Sequence, residues 1–265
     1  KPTPAMNRSL LTAASGMNAQ QMQVDALANN IANSNTTGFK RSNLEFRSLF
    51  YQTLRQPGAP TGSGQQDAGL QVGSGVDIAG SRVVLMQGTI TQTGNNFDVA
   101  IEGNGFFEVQ LPNGESRFTR DGSFRRDSTG SLTTSQGYYL QPQITLPDGV
   151  TEISIGQGGE VSYMDDSGQL TTAGDLQLTR FPNPFGLRAE GANLYAETVA
   201  SGAPATATPG ENGTGFLVHQ SLEGSNVSTV EELVGLIVAQ RSYEMNSRAV
   251  QVSDEMLQTS TQLVR

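Results

Sequence analysis

The segment from about Ser228 to Leu263 constrains this chain more than any other. Val230, Leu233, Val234 and Ile237 open an apolar stripe. Val238, Met245, Val252 and Thr259 continue it every seven residues, with Ala249, Met256 and Leu263 on the neighbouring row. A seven-residue apolar repeat marks a helix that winds about a partner helix. No proline or glycine interrupts it after Gly235, so the segment reads as one helix roughly 50 Å long. That is long for a globular surface helix and suits a coiled coil. Ser228-x-x-Glu231 reads as a capping box at its start, with Asn226 as the other candidate cap.

A second helix is expected from Asn7 to Ser34. Leu10, Met17, Val24 and Ile31 recur every seven residues, and Ala14, Leu27 and Ala28 fill the row between them. Gly16 weakens this helix by roughly 1 kcal/mol relative to alanine, and Gly38 is a candidate terminator. The helix also loads Asn29, Asn30, Asn33 and Asn35 near its end. Asparagine competes for backbone hydrogen bonds and is poor in helix interiors. Asn29, Asn30 and Asn33 are therefore read as groups that bond to neighbouring subunits in an assembly; the plainer reading is that they fray and cap the helix. Met6 is read as the native start and residues 1–5 as a remnant or upstream extension.

Between the helices the pattern changes. "FDVAI" places Phe97, Val99 and Ile101 on one face, and "FFEVQL" does the same for Phe107, Val109 and Leu111. "TEISIG" and "GDLQLTRF" repeat this alternation, and Asn113-Gly114, Asp121-Gly122 and Asp148-Gly149 punctuate it as turns. Residues 56–80 and 200–215 are rich in Gly, Pro, Ser, Thr and Ala and read as loops or extended linkers. The fold class is thus α+β: long N- and C-terminal helices pairing as a coiled coil, with an inserted β-rich domain of short, mostly antiparallel strands. The expected division is a helix over 6–40, an extended segment over 41–80, a β domain over 81–225 and a helix over 226–265.

Several function classes find no support. The net charge of −9 comes with no basic cluster, which disfavours nucleic acid as a partner. Cysteine is absent, so disulfides, thiolate metal sites and cysteine nucleophiles are excluded. The apolar runs, such as "GLIVA", are too short to span a bilayer, and no cleavable secretory signal is apparent. His219 stands alone on an alternating apolar run and reads as structural. "DDSG" at 165–168 lacks calcium-loop spacing. "GSG" at 73–75 and "GNG" at 103–105 lack the Gly-Lys-Ser/Thr that a phosphate loop needs. No G-x-S-x-G occurs and the chain has no tryptophan. No catalytic residue, metal ligand or cofactor is expected. Two long helices with thin stripes bury little alone, which favours a seam shared with copies of the same chain over a purely internal core.

The N-terminal "SLLTAASGMNAQQMQVDALANNIANSNTTGFKR" and the C-terminal "EGSNVSTVEELVGLIVAQRSYEMNSRAVQVSDEMLQ" resemble the two signature segments of the bacterial flagellar rod and hook family of axial proteins. Asn29, Asn30, Asn33, Thr37, Gly38 and Phe39 fall on the first signature, and Ser225, Asn226, Gln240, Arg241, Tyr243 and Glu244 on the second. "EFRSLFYQTLRQPGA", "LQVGSGV", "DVAIEGNGFFEV" and "LTRFPNPFGLRAEGANLYAET" resemble the distal-rod branch. The first of these contains Glu45, Phe46, Tyr51, Gln52, Pro57 and Gly58.

The resemblance implies a structural subunit, not an enzyme, exported through the flagellar type III apparatus without a cleavable signal. It implies a stiff tube spanning the periplasm, with the terminal helices inside and the β domain outside. Leu10, Met17, Val24, Leu27, Ile31, Val230, Val234, Ile237, Met245, Val252, Met256 and Leu263 are then the coiled-coil and assembly positions. The implied partners are copies of the chain, proximal rod and hook proteins and, in a Gram-negative cell, the L and P ring bushing. A hook or proximal rod protein, or a secreted β-rich adhesin or fibre, remains the alternative.

Overall fold

A computed structural model of the chain describes residues 4–55, 60–61, 64–65, 69–147, 150, 152–165 and 169–263. Asp148-Gly149, Pro57, Gly58 and most of the "DDSG" run lie outside the described residues, as does the Leu263 side chain. The chain divides into two units. The first comprises residues 1–31, 42–82 and 228–265, and the second residues 32–41 and 83–227.

The first unit holds both long helices, α1 (Pro4–Ala32) and α2 (Thr229–Leu263). They pair antiparallel. Ser9 meets Ser253, Gly16 lies against Asn246, Leu27 against Gly235, and Asn30 bonds Glu232. Each step up α1 is matched by an equal step down α2, and the facing residues recur every seven positions, as in a coiled coil. The first helical bond of α2 runs from Glu232 N–H to the Ser228 carbonyl, which makes Ser228 the cap residue. Asn226, the other candidate cap, is engaged elsewhere. No described helix is long and apolar enough to cross a membrane.

The described residues between 42 and 82 form paired strands. Ser42–Ser48 pairs with Val76–Val83, and Tyr51–Arg55 pairs antiparallel with Leu70–Gly73. The ribbon is held by its backbone ladder, not by a core: Tyr51–Arg55 is exposed throughout.

In the second unit, a seven-stranded sheet runs Arg125–Arg126, Leu132–Thr133, Tyr139–Gln141, Phe107–Gln110, Ser116–Thr119, Leu194–Ala196, Arg188–Gly191. The expected alternation is present, with Phe107 and Val109 fully buried and Glu108 and Gln110 half-buried between them. The strand Phe107–Gln110 turns through Asn113-Gly114 into Ser116–Thr119, and Gly114 takes the positive φ of 85° that such a tight turn needs. A large core forms around Val99, Ile101, Phe107, Leu140, Leu178 and Leu217. A smaller one stacks Phe106, Phe118, Phe181 and Tyr195 edge to face. The "GNG" run links Val99–Glu102 to Phe107–Gln110 and opens no helix.

Candidate assembly surface

The face that pairs α1 with α2 is not the apolar face. On α1 it is Ser9, Gly16 and Asn30, supported by buried Ala13, Ala19 and Leu27; on α2 it is Glu232, Ala239, Asn246 and Ser253. Small residues let two backbones approach closely; the Asn246 side chain lies over Gly16, and Asn30 bonds Glu232. The apolar repeat sits one residue away, about 100° around each helix. Leu10, Met17, Val24 and Ile31 are half-buried along the edge of the seam. On α2, Val230, Val234, Ile237, Met245, Val252 and Met256 are 47–70% exposed. The structure therefore brings Leu27 into the helix pair and leaves those α2 positions facing outward. Gln240, Arg241, Tyr243 and Glu244 are exposed as well. A single helix that shows this much contiguous apolar surface marks an interaction site.

The ribbon of the first unit adds to that surface. Phe50 is 94% exposed, and Phe46, Tyr51, Leu54 and Leu70 also stand open. Glu45 pairs with Arg82 across the ribbon at 3.3 Å, and Gln52 pairs its backbone with Val72.

Asn30 corrects a sequence expectation. Its side chain is 1% exposed and makes its bonds inside the chain. It accepts from Ser42 N–H at 3.0 Å and donates to the Ser42 carbonyl at 2.9 Å and to Glu232 Oε2 at 3.1 Å. It is thus an internal link between α1, α2 and the ribbon, not a contact for a neighbouring subunit. Asn29 is exposed, and Asn33 accepts a hydrogen bond from Thr36 Oγ1 at 3.2 Å.

The remaining signature residues build a staple within the second unit. Gly38 does not terminate α1, which ends at Ala32. It takes φ +68° where a Cβ would stand 2.7 Å from the Arg120 carbonyl carbon, and it donates its N–H to the Glu223 carbonyl at 2.7 Å. Thr37 donates its hydroxyl to Asp121 Oδ1 at 2.9 Å, and the Phe39 carbonyl accepts from Asn226 N–H at 3.4 Å. The Asn226 side chain accepts from Arg41 N–H at 2.8 Å and donates to the Val84 carbonyl at 2.7 Å. Ser225 Oγ accepts from Val227 N–H.

Beside Asn226, Lys40 and Glu223 form an ion pair whose side chains are fully buried. Lys40 Nζ also donates to the Met86 carbonyl, and Glu223 Oε1 accepts from Gly88 N–H at 2.9 Å. Arg120 Nε stands 3.7 Å from Glu223 Oε2, with its guanidinium over the Phe106 ring. Burial lowers the Lys40 pKa, and Glu223 opposes that shift. Three stretches of chain, 38–41, 84–88 and 223–226, are tied together here by the half-buried Asn226 side chain and the buried Lys40–Glu223 pair.

Among the described residues, no three His, Cys, Asp or Glu side chains cluster to hold a metal. His219 Nε2 lies 2.9 Å from the Asn96 carbonyl, in the strand Phe216–His219.

Three family models match the chain. Residues 10–40 match the flagella basal body rod protein, 100–163 the flagellar hook protein FlgE/F/G D1 domain, and 218–263 the flagellar basal body rod FlgEFG protein C-terminal region. The first and last of these contain the signature residues described above. Whole-length relatives carry the same description. The chain is 45% identical to a flagellar basal-body rod protein FlgG of Caulobacter vibrioides, over 97% of this chain and 99% of that one. It is 47% identical to one of Borreliella burgdorferi over 98% of this chain and 100% of that one, and 36% identical to one of Bacillus subtilis over 98% and 100%.

Proposed function

The chain belongs to the flagellar basal-body rod protein family, and on that premise we propose that it is a structural subunit of the distal rod, polymerising into a stiff helical tube that carries torque to the hook. The observation that carries this reading is the outward apolar stripe of α2. A chain that fills its own helix seam with small and polar residues, and leaves Val230, Ile237, Met245 and Met256 open, has kept its apolar repeat for another surface. A helical tube supplies that surface, because each copy meets the next through two different faces. The groove lined by Leu10, Leu11, Ala14, Met17 and Val250 offers a receiving face of matching chemistry in the same unit.

The exposed side chains of Phe46, Phe50 and Tyr51 extend the reading: they give neighbouring copies further contacts, which stiffens the tube. The tube lies in the periplasm, reached through the flagellar type III apparatus. Its ends meet proximal rod and hook proteins, and in a Gram-negative cell it turns within the L and P ring bushing. Leu10, Met17, Val24, Ile31, Val230, Val234, Ile237, Met245, Val252 and Met256 are its assembly positions.

The test is Val252→Asp with Met256→Asp. Both side chains are about half exposed, so the thermal melt of the unassembled chain stays as it was while tube formation, followed by sedimentation and electron microscopy, is lost. Tubes of unchanged yield would overturn the reading.

A further inference from the structure

In the second unit, two loops present apolar side chains that neither core uses. Val199 is 104% exposed and Phe185 55% exposed. Their backbones are pinned. Asn183 Nδ2 donates to the Ala200 carbonyl at 3.0 Å, and Thr198 Oγ1 donates to the Gly186 carbonyl at 2.6 Å. Ser201, fully buried, donates its hydroxyl to the Thr198 carbonyl at 2.8 Å. A Cβ on Gly186 would stand 2.6 Å from the Ala200 carbonyl carbon, so the two loops pack backbone on backbone. Phe181 and Leu187, on either side of the Pro184–Gly186 turn, are buried and anchor the first loop. Exposed apolar groups on an unconstrained loop would cost ordering entropy on binding; here the hydrogen bonds already hold the backbone.

We propose that this knob, with Val199 at its tip, is a contact surface for a second copy of the chain. The inference rests on the assembly reading but concerns the second unit, not the helices. Charge selects the partner. The chain carries a net charge of −9, so two copies repel wherever their acidic surfaces meet. Residues 181–187 and 198–210 contain no charged side chain. A neutral, rigid, apolar projection lets like-charged copies touch without burying a charge. A basic partner would be better served by the acidic remainder of the surface.

The chain has no cysteine, so Val199→Cys and, in parallel, Val252→Cys each carry one benzophenone photo-crosslinker on the full-length chain. Irradiation over a rising protein concentration is followed by mass spectrometry of the joined peptides. Position 199 is expected to join peptides of two copies, with a yield that rises with assembly. Val199→Glu is expected to raise the concentration needed for assembly about tenfold, the scale of one buried valine, with an unchanged melt. Copy-to-copy products at 252 and none at 199 would overturn the knob and leave the helix reading intact. Products at neither position would overturn both.

Discussion

The side-chain amide of Asn30 pairs with both backbone groups of Ser42, accepting from its N–H at 3.0 Å and donating to its carbonyl at 2.9 Å. It imitates a strand neighbour where the ribbon begins, and its second amide hydrogen serves Glu232 on α2. Asn30→Ala takes these bonds away from half-buried Ser42 and buried Glu232, at about 1–3 kcal/mol for each desolvated group that loses one. A loss of roughly 2–4 kcal/mol is expected in urea unfolding of the unassembled chain. Asn30→Asp keeps the bond from Ser42 N–H but sets a carboxylate against Glu232, and falls at least as far. An unassembled chain as stable as the parent would return Asn30 to a contact between subunits.

Glu223 holds more partners than Lys40 does. It accepts from Lys40 Nζ and Gly88 N–H and faces Arg120, all in a buried setting. Removing one member of a buried pair costs about 3–5 kcal/mol because the other charge is stranded. Lys40→Met is expected near the lower end of that range. Glu223→Leu strands Lys40, Arg120 and an amide together and is expected to cost more. Chemical unfolding of the two variants gives the ranking, and the reverse order would show that Lys40 is the hub.

Much of this architecture was legible in the sequence. The heptads marked both helices, and the Phe107–Val109 alternation marked a central strand. What hydrophobic periodicity could not find was the seam. It reports the most apolar face, and here that face is turned outward, while Gly16, Asn246, Asn30 and Glu232 close the pair through size and hydrogen bonding. Asn226 read as a cap because capping is a local signal. Its actual partners, Arg41 and Val84, lie more than a hundred residues away in sequence. Lys40 and Glu223 escaped notice for the same reason: they meet only in the fold, 183 residues apart in sequence.

Tyr195 makes alkaline pH a probe of the smaller core. Burial pushes its phenol up to about 12, with Arg120 opposing and Glu223 adding to the shift. An unfolded tyrosine ionises near 10. A raised phenol pKa stabilises the fold fully below pH 10, because the unfolded chain then gains nothing by ionising. Between about pH 10 and 12 the unfolded chain loses this proton and the folded one keeps it, so stability falls as pH rises. The gap corresponds to roughly 3 kcal/mol. Tyr195→Phe is expected to remove that part of the alkaline slope. An identical slope in both proteins would mean that the phenol is solvated.

Gly75 is where the ribbon meets α1. It takes φ +113°, and a Cβ there would stand 2.2 Å from Ser15 Oγ, which itself accepts from Val76 N–H at 3.3 Å. Gly75→Ala therefore suffers twice, from a backbone conformation that costs an L residue about 1–3 kcal/mol and from collision with the hydroxyl. Ser15→Ala removes the collision but not the strain, so the double variant is expected to recover part of the loss. A double-mutant cycle measures this, with a coupling of about 0.5–3 kcal/mol for residues in contact. The readout is hydrogen exchange along Leu70–Gly73 and Val76–Val83. Gly75→Ala is expected to speed exchange there while leaving the amides of Phe107–Gln110 in the second unit protected. Equal acceleration in both places would mean that the ribbon unfolds only with the whole chain.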